Sequence, residues 1–95
     1  MMLELDKNSC LRPRRGVVFR QVEGEGVLLD TRAGTYFGLN ETGVLLWRIL
    51  DPGPATMAVL EAGLTQAFGE TPDTLRTDLE TWVRELQSHD LLEIG

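Results

Sequence analysis

Short apolar and half-apolar stretches bounded by turn residues occupy the chain from Val17 to Leu39, and after Asn40 the apolar positions repeat at helical spacing. Val17 to Val22, VVFRQV, sets Phe19 on one face and Arg20 on the other, as a half-buried strand does. Glu23-Gly24-Glu25-Gly26 follows, and its glycines supply the positive φ values of a hairpin connection. Val27-Leu28-Leu29 has the length and branching of a buried strand, closed by the polar run Asp30 to Gly34. Thr35 to Leu39 returns beside it, so the order predicts a three-stranded antiparallel meander. Asn40 then offers a side-chain oxygen to a helix start, with Glu41 favourable to its dipole.

That helix carries Val44, Leu45, Leu46, Trp47, Ile49 and Leu50, a coverage wider than one stripe, which marks it as the central buried helix. Asp51-Pro52-Gly53-Pro54 ends it. Thr56 caps a second helix whose Met57, Leu60, Leu64 and Phe68 define one core face, and Gly69 stops it. Thr71-Pro72-Asp73 starts a third, with Leu75, Leu79, Trp82, Val83 and Leu86 inside an arc of roughly 100°. Leu91 to Ile94 docks as a short extended segment. Residues 1–15, aperiodic and holding Pro13, read as a mobile tail, able to order in part against a single domain spanning 16–95. The expected fold class is α+β, a three-stranded antiparallel sheet followed by three helices.

Composition narrows the function more than the fold. A formal charge of −6 and a pI near 4.6 argue against nucleic acid as partner, since phosphate binding needs clustered Lys and Arg. Arg12, Arg14, Arg15 and Arg20 do cluster, and read either as a solvated approach to the first strand or as a local basic arm. A single cysteine, Cys10, excludes an internal disulfide and makes the cytoplasm the default compartment. Neither a secretory signal nor an apolar run long enough for a membrane span is present in the sequence, so no membrane partner is expected.

Candidate chemistry is sparse. P-loop, G-x-S-x-G, H-E-x-x-H and dinucleotide patterns are all missing despite ten glycines. His89, the lone histidine, is far from Cys10 in sequence and is read as an interaction with the end of the third helix. No enzyme, cofactor or metal site is expected. Binding remains, and the third strand is the best surface for it. An edge strand exposes unpaired N–H and C=O groups, and Thr35 to Leu39 has no charge or proline to blunt them. A peptide could add there as a fourth strand, with Gly38 allowing close approach. Alternatively, Tyr36, Phe37 and Leu39 are core, or the chain's own tail covers the edge. Which parity faces outward, 35, 37 and 39 or 36 and 38, stays open.

The run VLLDTRAGTYFGLNETGVLLW, with Leu39-Asn40, Thr42-Gly43 and Trp47, then Asp78 and the closing Leu91-Leu92, resembles the PqqD-like family of RiPP recognition elements over about residues 15–94. It is most similar to the stand-alone leader-binding proteins of lasso peptide biosynthesis. The resemblance implies a small winged helix-turn-helix-like domain that binds the leader of a ribosomally made precursor, antiparallel on the third strand and against the third helix. It also implies presentation of the precursor to a separate leader peptidase, in the lasso case a cysteine protease acting before a cyclase. Carried onto this chain, the binding strand falls on Thr35, Tyr36, Phe37, Gly38 and Leu39, and the helix side on Leu75, Asp78, Leu79, Trp82 and Glu85. Trp82 is read either as a groove anchor or as core, while Asn40, Thr42, Gly43 and Trp47 are read as fold determinants. The rival class is a winged-helix DNA-binding or regulatory protein, against which the acidic third helix speaks. The oligomeric state is left open.

Overall fold

The structure, a computed structural model, describes residues 8–69 and 73–94; Thr71, Pro72 and the side chain of Leu75 lie outside it. In chain order the elements are β1 (Cys10–Pro13), β2 (Val17–Val22), β3 (Glu25–Asp30), β4 (Thr35–Leu39), α1 (Glu41–Leu50), β5 (Ala55–Thr56), α2 (Met57–Phe68), α3 (Asp73–Ser88) and β6 (Leu92–Ile94). Strands β2, β3 and β4 form the expected antiparallel meander, with β4 at its edge. The fold class is α+β with three helices, and winged helix-turn-helix-like describes it loosely.

Local chemistry accounts for the helix starts. The Asn40 side chain accepts from Gly43 N at 2.9 Å, and Thr56 Oγ1 accepts from Val59 N at 3.2 Å, each satisfying an amide that the first turn leaves free. At the end of α3, Leu91 N donates to Leu86 O and Asp90 N to Gln87 O, with Asp90 at φ 61°. That is a Schellman stop with aspartate in the position glycine usually takes. It turns the chain sharply enough for β6 to pack back onto the domain.

The core is continuous from the sheet to all three helices. Leu28 contributes from β3, Leu46, Trp47 and Leu50 from α1, Leu60 and Leu64 from α2, and Val83 and Leu86 from α3, all at most 1% exposed. The indole Nε1 of Trp47 is buried without a hydrogen-bond partner among the described residues, a local cost within an otherwise apolar centre.

Two expectations need correction. The supposed tail carries a strand: β1 pairs with β5 and β6 in a second antiparallel sheet, and Leu11 is fully buried. Four residues, CLRP, are too few to give a readable period, and both partners are distant in sequence, so tertiary pairing decides the strand. Residues 1–7 lie outside the described part. Phe68 was expected in the core with Met57, Leu60 and Leu64, but it is 53% exposed. It lies at the last turn of α2, over a hollow shared with Gln21, Gly24 and Arg48.

Candidate peptide-binding site

The parity of β4 follows from a turn two strands away. Glu23 and Gly24, at φ 52° and 84°, make a two-residue loop of type I′. Such a loop closes on a hydrogen-bonded pair, here Val22 with Glu25, and alternation then sends the backbone groups of Glu25, Val27 and Leu29 to β2. Those of Gly26, Leu28 and Asp30 go to β4. Two bonds beyond the ladder agree: Gly34 N donates to Asp30 O at 2.8 Å on the β4 side, and Thr31 N to Gly16 O at 2.9 Å on the β2 side. With Gly26 opposite Leu39, Leu28 opposite Phe37 and Asp30 opposite Thr35, the backbones of 35, 37 and 39 face β3. Tyr36 and Gly38 therefore turn their N–H and C=O groups to the open edge. Among the described residues no strand pairs with that edge.

Helix α3 runs alongside β4 in the opposite direction. Near the start of the shared stretch, a Cβ on Gly43 would stand 3.2 Å from Trp82 Nε1 and 3.1 Å from Leu39 Cδ2, so glycine at 43 is what lets the indole settle beside the Leu39 end of β4. Asn40, Thr42, Asp78, Leu79 and Trp82 surround a hollow of about 250 Å³ there. Two turns on, the His89 ring stands 5.2 Å from that of Phe37, tilted by 53°. Trp82, Phe37 and His89 thus floor a groove whose one wall is the free edge of β4.

The sequence-derived residues take unlike places in it. Tyr36, 78% exposed, and Gly38 offer backbone; Phe37, half-buried, offers its ring toward α3. Leu39 and Leu79 are buried core side chains and reach the groove only as its foundation. Thr35, Asp78 and Glu85 are exposed, Trp82 is half-buried, and Leu75 falls outside the described side chains. The sequence places His89 at the helix end; its ring in fact meets Phe37. Its spacing of seven from Trp82, the same helix face, was the signal available.

One ion pair sets the far end of the groove. Asp30 is 4% exposed, and its Oδ1 accepts from Arg32 Nε at 3.1 Å and from Arg32 N at 3.0 Å, while Oδ2 accepts from Arg32 Nη2 at 3.2 Å. The Arg32 side-chain hydrogen bonds, more than burial opposes them, hold the Asp30 carboxyl below its ordinary pKa. The same Arg32 Nη2 donates to Asp90 O at 3.0 Å, which ties the β3–β4 turn to the end of α3. Among the described residues, no group of three or more His, Cys, Asp or Glu side chains could hold a metal ion, and no helix is long and apolar enough to cross a membrane.

Curated proteins give no match. Among solved structures, the chain is similar to TbiB1 in complex with the TbiA(beta) leader peptide, at 29% identity and a TM-score of 0.77, covering 86% of this chain and 94% of that one. It is also similar to a lasso peptide synthetase B1 complexed with the leader peptide, at 27% identity and a TM-score of 0.72, covering 87% and 96%. The family described as Coenzyme PQQ synthesis protein D matches residues 25–92, which hold β3, β4, all three helices and hence the whole groove. The chain belongs to the PqqD family, as a PqqD-like RiPP recognition element.

Proposed function

We propose that this chain is a non-catalytic recognition protein of the cytoplasm that binds the leader of a ribosomally made precursor, of the lasso class, by strand addition on β4. It then presents the precursor to a separate leader peptidase, a cysteine protease, ahead of a cyclase. The observation that carries the reading is the pair of outward-facing backbones at Tyr36 and Gly38, set beside the aromatic floor of α3. A guest running antiparallel to β4 bonds to those two residues, and its own residues opposite them point away from the helices. Guest residues opposite Thr35, Phe37 and Leu39 point inward, so recognition reads alternate side chains, the central one facing Phe37, Trp82 and His89. Both similar structures hold leader peptides, which supports the class of ligand.

A DNA-binding reading finds no support in α3. Of its two cations, Arg76 donates to Glu61 Oε1 at 2.7 Å, and Asp73, Asp78, Glu80 and Glu85 outnumber them.

The test is a selection from a displayed random peptide library on the immobilised chain, followed by amide hydrogen exchange with an enriched peptide. Peptides with alternating apolar residues are expected, and the Tyr36 and Gly38 amides should exchange more slowly when one is bound. Unchanged exchange at both amides under saturating peptide refutes strand addition.

A further inference from the structure

Strand direction decides what the rest of a guest meets. β4 begins beside the 31–34 turn and ends beside Trp82, so an antiparallel guest enters at Leu39 and leaves past Thr35. At that end of the sheet, across the 31–34 turn from Thr35 and beside Gly16 on the β2 side, lies a hollow of about 800 Å³ walled by Arg12, Arg14, Arg15 and Arg32, with Glu93 the one carboxylate among its described lining. Four of the nine Lys and Arg of a chain with formal charge −6 are gathered there.

Their charge is loosely held. Arg12 Nε stands 3.7 Å from Glu93, and Arg14 stands 3.6 Å from Asp90 and 3.7 Å from Glu93, all longer than a hydrogen bond and partly exposed. Arg15 is exposed and has no ion pair among the described residues. Arg32 is fixed by Asp30 and reaches the same Asp90 that follows the groove residue His89, so one side chain links the hollow to the end of α3 that bounds the groove.

We propose that this arginine hollow receives Asp or Glu side chains of the bound peptide that lie C-terminal to the segment paired with β4. The inference rests on the strand-addition reading and adds a second recognition element to it. Guanidinium groups suit carboxylates through their paired donors, and several loosely neutralised ones together suit a short acidic run. The arrangement also sets direction. At the entry end stands Asp78, so a peptide laid in reverse brings its acids against an acid.

The probe is a peptide enriched in the library selection, synthesised with its C-terminal flank acidic, with the acids replaced by serine, and with them replaced by lysine. Binding is read by fluorescence anisotropy against the wild-type chain, Arg15→Glu and Gly38→Pro, each checked for folding by circular dichroism. On the wild type the serine flank should bind roughly three- to tenfold more weakly at low salt, and the gap should close at high salt. Arg15→Glu, which leaves three arginines against two carboxylates in the lining, should narrow that preference. Equal affinities for the three flanks, or no acidic enrichment in the selection, overturn the hollow's role. If Gly38→Pro weakens all three flanks while they remain equal, the hollow alone is refuted and strand addition stands. If Gly38→Pro binds like wild type, both are refuted, whatever the flank does.

Discussion

Proline at position 38 separates the edge of β4 from its ladder. The Gly38 N–H points away from β3, and a Cβ there meets nothing within 4 Å, so the substitution removes no β3–β4 bond and places its Cβ in open space. A bound peptide loses one donor, and its own carbonyl is left without a partner under the pyrrolidine ring. A net hydrogen bond contributes about 1 kcal/mol and an unsatisfied acceptor costs a similar amount, so binding should fall by about 2 kcal/mol, a roughly thirtyfold rise in Kd. Gly38→Ala keeps the donor and should bind within about threefold of wild type on the same grounds. Phe37→Pro, one residue away, breaks the ladder to Leu28 and removes the ring against His89, and should cost more than about 3 kcal/mol of folding stability. The assay pairs anisotropy with a selected peptide and urea unfolding of each variant. Wild-type affinity in Gly38→Pro, or a folded Phe37→Pro beside an unfolded Gly38→Pro, contradicts the parity.

Other perturbations probe the supports of the groove. Gly43→Ala sets a methyl 3.2 Å from Trp82 Nε1, and should shift the indole, with about 1 kcal/mol lost in urea unfolding and weaker peptide binding than the stability loss explains. Asp30→Asn removes the charge that fixes Arg32. Because the folded pKa of Asp30 lies below the unfolded value near 3.8, its contribution is complete well above that pH and is lost as pH falls through the folded value. Urea midpoints of wild type and Asp30→Asn should therefore differ at neutral pH and converge below pH 3.8. Cys10→Ala should leave peptide affinity unchanged in the same anisotropy assay, since β1 pairs with β5 and β6 and not with β4.

The meander and α1 were legible because their signals are local: glycines in the turns, an apolar run, and Asn40 immediately before the helix. The second sheet was not, because β1, β5 and β6 are two to four residues long and Leu11 finds Ala55 and Ile94 only after the chain has folded. Parity was hidden in Glu23-Gly24-Glu25-Gly26. Two glycines permit either a two-residue or a longer loop, and a shift of one residue exchanges every outward group for an inward one. Trp82 could be placed on a margin of the apolar arc but not against a neighbour, because that placement depends on the room left by Gly43. The arginine hollow draws Arg32 from a turn and Arg12, Arg14 and Arg15 from the N-terminal segment, a gathering that no window along the chain displays.

Leu11 sits across from Ile94, so the first and last described strands are stitched side by side at the rim where Arg12 meets Glu93. The chain therefore enters and leaves the described fold on neighbouring strands, one held to the other through the ladder from Leu11 to Pro13. A partner joined through either of those strands would start from the same side of the fold.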